Sequence, residues 1–598
     1  MNLEKQKKQF LFLVISLTFS LVLGNLRYIS YASLEQNNYQ ILENDYIISG
    51  SVYIDENSDF TALGFPGSGT EFDPYRIENL KIETLDTYAM WIGYVDVYFV
   101  INGCYIDGWS YGIFIANSVS ANIVIINTTI IDTNAALYLE NLDNLKLINN
   151  TILGSGQHVA DITACDGIEI VNNTFIDGEK ILVENCKSAI IEDNTCTNTG
   201  FYISTGVSYY AAHSVNNNLV NGKILGFFAN PQNLIISENI YGQIIVGDGD
   251  NVTIRDQVIG NTSISVSARY VQGLKLINNT FLYNKYYGVR IWEGDTIIED
   301  CEIGYVEAYG TIDVGYTTNT IIRNCYLHDT GFAIIANGAE NITSFNNNIV
   351  NTPNYGIRYQ GSQNGYIYNN TMTNAGTAVL FYSFDFCEVA YNIIEDTATK
   401  YCVNVDENSN NNTFYYNFFL NNNLGGSSQV LDDGFNNTWY NPNTNTGNYY
   451  SDYSGSGDYM IDGTAGSIDP YVIIDSTNPI IVDKSENIEY SYGSTGNIIY
   501  WQTSDQHPRY YQILRNGSIV KTAIWRNTEM VYLNVDGLEG GDYNFTAVFY
   551  DMANNHISSE IIVSVLIIVA EYNPINILVG IIATISLISI SSLRRIKK

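Results

Sequence analysis

Leu147-Ile148-Asn149-Asn150-Thr151-Ile152 is the stretch on which the fold turns. It returns as Ile170-Val171-Asn172-Asn173-Thr174-Phe175, Leu276-Ile277-Asn278-Asn279-Thr280-Phe281 and Ile367-Tyr368-Asn369-Asn370-Thr371-Met372. With Asn150 as reference, looser equivalents fall at Gly103, Thr128, Asn194, Asn217, Asn239, Asp256, Asp300, Asn324, Asn347, Asn392 and Asn417. Their spacing of about 22 residues belongs to a solenoid, whose coils bury their apolar sides only by stacking on one another. Leu145, Leu147 and Ile152 alternate with polar residues, as strands do. A further strand follows about nine residues later, as in Gly288-Val289-Arg290-Ile291, Gly310-Thr311-Ile312-Asp313-Val314 and Gly356-Ile357-Arg358-Tyr359. The fold class is therefore all-β: a parallel β-helix of about 15 coils, each rising ~4.8 Å and holding two or three short strands.

The asparagines have a physical reason. A coil must turn sharply between strands, Asn tolerates left-handed backbone, and stacked amides hydrogen-bond from coil to coil. Asn149, Asn172, Asn278 and Asn369 also stand in glycosylation sequons, where the structural reading is preferred. Asn127, Asn251, Asn261, Asn341, Asn411, Asn436, Asn516 and Asn544 lie in further sequons and are glycan acceptors in an exported chain.

Export is expected from the ends. Lys5, Lys7 and Lys8 precede an apolar run from Phe10 to Leu23, and Ser30-Tyr31-Ala32 supplies the small residues of a cleavage site. Residues 1–32 read as a signal peptide, an uncleaved anchor being the alternative. Residues 575–593 form an uncharged, mostly apolar run long enough for a transmembrane helix, followed by Arg594, Arg595, Lys597 and Lys598. This predicts a single-pass cell-membrane protein with most of the chain outside and residues 594–598 as a cytoplasmic tail. The net charge is −35, with 62 acidic against 27 basic residues. Nucleic acid is thereby excluded as a partner, because phosphate binding needs a basic surface.

Between these ends, residues 33–76 read as an N-terminal cap, 77–425 as the β-helix and 426–477 as a C-terminal cap. The opening cap carries Gly67-Ser68-Gly69-Thr70 and Asp73-Pro74-Tyr75; the closing one carries Asn448-Tyr449-Tyr450-Ser451-Asp452-Tyr453 and Gly463-Thr464-Ala465-Gly466-Ser467. With the Asn-Asn-Thr coils, these phrases resemble the NosD-like right-handed parallel β-helix family, and especially repeat-containing surface proteins of archaea. The likeness covers roughly residues 55 to 475. It implies right-handed coiling and a fold used in carbohydrate-binding and sugar-hydrolysing proteins. The copper role attached to the NosD name does not carry over, since five His and six Met form no soft-ligand cluster. Residues 478–570 change rhythm to alternating strands with turns at Asn516-Gly517 and Gly540-Gly541. They resemble an immunoglobulin- or fibronectin-III-like sandwich without the Cys pair, with Trp501 in its core and Tyr543 at a tyrosine corner. Its expected job is that of a spacer.

Chemistry is sparser. Cys165 with Cys186, and Cys301 with Cys325, occupy matching slots on neighbouring coils, which suits either a ladder of apolar thiols or disulfides. Arg290, Asp313 and Arg358 share an outward register, with Trp292, Glu293, Tyr316, Tyr359 and Tyr382 close by. Rings beside a few charges suit a sugar, but the same column reads equally as a surface ion-pair ladder. Asp432-Asp433, Asp406-Glu407 and Asp248 with Asp250 read as turns first, the latter two as calcium sites second. No other metal or cofactor is indicated, and no His joins an acid–base constellation. The expected function is binding of glycans or neighbouring surface molecules, with Trp292, Tyr316, Tyr359 and Tyr382 as contacts. The alternatives are a polysaccharide lyase or glycoside hydrolase using Asp313 with Arg290 or Arg358, and a structural envelope stalk.

Overall fold

The computed structural model describes residues 46–567, except 119–121, 423, 424 and 454, together with Ile582. The signal segment, the start of the N-terminal cap, the apolar run 575–593 apart from Ile582, and the basic tail lie outside the described residues. Among the described residues no helix is long and apolar enough to cross a membrane.

The chain is an all-β parallel solenoid of about 15 turns. It divides into two compact units: the chain up to Asn230 with Ile240–Asp248 and Gly260–Ser265, and Pro231–Asn239 with Gly249–Ile259 and everything from Val266 onward. Within each, a coil has three strands. In the first unit one coil runs Phe99–Asn102, Tyr105–Gly108 and Tyr111–Ser118. In the second, one runs Leu274–Ile277, Thr280–Leu282 and Tyr287–Trp292. Each strand pairs in parallel with its counterpart one coil on, so that Leu147 meets Ile125 on one side and Ile170 on the other. All three are buried, along with Ile101 and Ile191. Successive coils thus contribute one apolar residue each to a continuous inner stack.

The Asn-Asn corner divides its labour. The first residue takes the left-handed conformation: Asn149, Asn172, Asn278 and Asn369 have φ of 57°, 56°, 53° and 53°. Their exposed amides link coils outside, Asn172 Nδ2 donating to Asn149 Oδ1 at 3.1 Å and Asn369 Nδ2 to Asn346 Oδ1 at 3.1 Å. The second residue is buried, and its side-chain carbonyl accepts a backbone N–H from the coil before, and a second bond from the amide where that coil also has Asn. Asn150 gives Asn173 Oδ1 both its backbone N–H (2.9 Å) and its Nδ2–H (3.0 Å). One expectation is corrected here: Gly103, Asn217, Asp256, Asp300 and Asn324 are left-handed, one position out of step with Asn150. Sequence similarity cannot separate two adjacent rows of the same residue type. Among the sequon asparagines, Asn127, Asn251, Asn261, Asn341, Asn411, Asn436 and Asn516 sit at left-handed corners, whereas Asn544 lies within the strand Gly541–Asp551.

Coiling begins before Ile77. Ile47–Ser49 pairs with Leu80–Thr84, Val52–Ile54 pairs with Tyr88–Gly93, and the short helix Asn57–Ala62 inserts Phe60 against Tyr75. At the other end Trp439 is buried and stacks on Phe414 at 4.2 Å. Residues 480–566 form a three-stranded and a five-stranded sheet around a shared core that includes Trp501, Phe545 and Val563. Tyr543 donates its hydroxyl to the carbonyl of Glu539, four residues back (3.2 Å). These sheets touch the solenoid part of their unit: Arg509 pairs with Glu395, and the His507 ring lies 5.5 Å from Phe418.

Candidate functional site

Third strands stack in register, and their outward residues form columns. Arg290 faces Asp313, Asp313 faces Ile335, and Ile335 faces Arg358, the expected column with an apolar member between Asp313 and Arg358. Asp313 points away from the core yet is only 1% exposed. Arg290 Nε lies 3.1 Å from its Oδ2, Trp292 Nε1 donates to the same oxygen at 3.0 Å, and Asn337 Nδ2 donates to Oδ1 at 3.3 Å. Burial raises the carboxyl pKa, while Arg290 and these donors oppose the rise. The Arg290 guanidinium lies over the rings of Trp292 (4.9 Å) and Tyr287 (5.1 Å). Arg358 turns to Gln360. Acid–base work on a glycan needs a carboxyl that the substrate can touch. Asp313 is instead sealed beneath Trp292, as the core of a caged ion pair.

The four predicted sugar contacts separate. Tyr316 is 61% exposed and meets the half-buried Trp292 edge to face at 5.4 Å. Tyr382 is 50% exposed. Tyr359 must be withdrawn as a contact: it is fully buried, with Phe381 at 6.1 Å and Phe384 at 5.1 Å. Its parity is that of the inward Ile357, so strand alternation turns it to the core.

The register supplies what the sequence did not. Trp292 faces Gly315, Gly315 faces Asn337, Asn337 faces Gln360, and Gln360 faces Tyr382. An outward column over five strands therefore has an aromatic ring at each end and two amides between. Gly315 is required beside the indole, because a Cβ there would lie 2.6 Å from Trp292. Asn337 and Gln360 carry no motif; only their register with Trp292 marks them.

The cysteines are free, buried thiols. Each thiol in the two stacked pairs donates to a carbonyl of the preceding coil, Cys186 to Ile162 at 3.5 Å and Cys325 to Ile298 at 3.7 Å, as in the ladder reading. Asp406 accepts from the backbone N–H of Ser383 (3.0 Å), and Asp432 accepts from Trp439 Nε1 (2.9 Å), so both serve turns. Asp475, Asp505 and His507 bring one ligand atom each within 4.8 Å of one another. Their groups are already engaged: His507 Nδ1 lies 2.9 Å from Asp475 Oδ2, and the His507 N–H donates to Asp505 at 2.7 Å.

Residues 226–357 and 263–419 match the family described as right handed beta helix region. Over those residues the parallel solenoid described above is thereby supported as a right-handed β-helix repeat. Solved structures similar to it include a mutant of the periplasmic alginate epimerase AlgG, at 10% identity over 66% of this chain and 84% of that one, with a TM-score of 0.29. PfbA, a surface adhesin of Streptococcus pneumoniae, is 13% identical over 61% and 87%, with a TM-score of 0.21. Fibronectin(III)-like modules of CbhA from Clostridium thermocellum are 12% identical, over 18% of this β-helix protein and 56% of their own chain, with a TM-score of 0.14. No curated protein matches the chain.

Proposed function

We propose that this protein binds glycans, in or around the cell envelope, along the column from Trp292 to Tyr382. The observation that carries the reading is that column. Two rings bracket Gly315, Asn337 and Gln360 over about 19 Å, taking ~4.8 Å per strand spacing. Rings of this kind cover the apolar faces of sugars, and amides bond hydroxyls in both directions. The surrounding charge of −35 favours a neutral glycan over a polyanion. In this reading residues 1–32 direct export, 575–593 anchor the chain, and the sheets of 478–570 act as an immunoglobulin- or fibronectin-III-like module next to the anchor. A glycan array probed with the full chain tests it. Wild type is expected to retain neutral oligosaccharides, and Trp292→Ala or Tyr382→Ala to weaken retention about tenfold each, the equivalent of ~1.4 kcal/mol. An array with no retention by wild type would sink the reading and favour a structural stalk.

A further inference from the structure

We infer that the first unit carries a second, separate glycan site: a groove along the outward side of its first-strand sheet that holds a neutral, linear hexopyranose chain lengthwise across successive coils. The inference rests on the glycan reading for its class of polymer, but it shares no residue with the Trp292–Tyr382 column.

The groove is an open depression of about 560 Å³, a volume within the usual range of ligand sites. It is built from one register pair repeated coil after coil. In the strands Phe99–Asn102, Ile123–Ile126 and Lys146–Ile148, the facing residues Val100, Val124 and Lys146 point outward, while Ile101, Ile125 and Leu147 are buried. Two positions before each stand Tyr98, Asn122 and Asn144, which line the same groove. Glu71 and Pro74, from the segment leading into Tyr75–Glu78, line it as well, as does Glu169 on the coil after Lys146. The coils of Val100, Val124 and Lys146 thus each present an aliphatic surface with Tyr98, Asn122 or Asn144 beside it, repeated at the coil rise of ~4.8 Å. That rise is close to the length one pyranose adds to an extended chain, so a sugar polymer would meet a similar environment at successive residues over those three coils and the charged Glu169 at the next. A ligand without this period could use only part of the groove.

Charge narrows the class further. Lys146 is the one base in the lining among the described residues, and Glu169 holds its ammonium at 2.8 Å. Glu71 is left as an excess negative charge, so a uronate chain would be repelled. Two valines on an outward strand face, flanked by amides, fit the alternating CH and hydroxyl surfaces of a neutral sugar chain.

The test uses the full chain with three probes in calorimetric titrations: β-1,4-linked glucose oligomers, β-1,4-linked mannose oligomers, and a uronic-acid oligomer of matched length. The expected result is binding of a neutral series, with affinity rising as the oligomer lengthens to about four residues and then levelling, because the groove crosses about four coil spacings. Measured in a Trp292→Ala background, so that the column does not contribute, that length-dependent binding should persist, and adding Val124→Arg, which fills the groove, should weaken it about tenfold or more. If Val124→Arg misfolds by circular dichroism, Asn122→Trp takes its place. Preference for the uronate, or affinity independent of length, overturns the inference. So does neutral binding that is lost in Trp292→Ala and kept in Val124→Arg, a result that leaves the glycan reading standing. Absence of all binding removes both.

Discussion

At the scale of single residues, the buried asparagine ladder has a direction and therefore needs an end. Asn347 gives two hydrogen bonds to Asn370, Asn370 two to Asn392, Asn392 two to Asn417 and Asn417 two to Asn448. Asn448 donates its backbone N–H (2.7 Å) and Nδ2–H (3.2 Å) to Asp469 Oδ2, while Asp469 Oδ1 accepts the Tyr471 N–H at 3.0 Å. Both carboxylate oxygens are acceptors, so an amide cannot replace the carboxylate without turning its NH₂ toward a donor. Asp469→Asn should cost about 1–3 kcal/mol in chemical denaturation. Burial pushes the Asp469 carboxyl up from 3.8 to about 6. A carboxyl with a raised folded pKa favours folding fully below its unfolded value, and that contribution is lost as pH rises through the folded one. The Asp469 contribution should therefore decline between about pH 4 and pH 6. Thermal melts across that window check it: the decline should shrink in Asp469→Asn, and an unchanged slope would count against the assignment. Asp469 stands next to Pro470 and Tyr471, inside the span 426–477 that reads as a turn-rich cap. Its ladder role is invisible there because its partner, Asn448, lies 21 residues away.

At the scale of the strand, alternation is legible and coverage is not. The outward register of Arg290, Asp313 and Arg358 follows from period two, and the structure keeps it. Period two also turns Tyr359 inward with Ile357, a consequence that proximity to charged neighbours obscured. Alternation cannot say that an outward residue is covered. Asp313 is sealed by Trp292, Arg290 and Asn337, which stand 21, 23 and 24 residues away in the chain and come together only through stacking. Since Asp313 compensates a largely buried guanidinium, Asp313→Ala should destabilise by about 3 kcal/mol, and adding Arg290→Met should recover much of that loss. A double-mutant cycle by denaturant titration measures the coupling. Additive effects would mean that the pair contributes nothing beyond its separate contacts.

At the scale of the molecule, the stacked coil is the unit of stability. Glu340 faces Gln363, so deleting residues 340–362 removes one coil and joins equivalent positions. The shortened chain should keep its β-sheet circular dichroism and a cooperative melt, because interfaces between nearest coils are retained. Deleting residues 340–350 alone should keep much of the β-sheet signal and break the single cooperative melt, since the half-coil left behind cannot pair in register with both neighbours while the coils on either side keep their own pairings. The all-β class, the repeat and its period of about 22 residues could be read directly, because each coil writes the same local instructions for strand, left-handed corner and strand. The candidate columns could not. Which outward residues become neighbours depends on register between coils some twenty residues apart, and which of them remain open depends on side chains contributed by three or more coils. Trp292, Asn337, Gln360 and Tyr382, and likewise Val100, Val124 and Lys146, form surfaces only once the coils are stacked. Their local sequences describe ordinary strands, and the contacts between strands turn those residues into candidate sites.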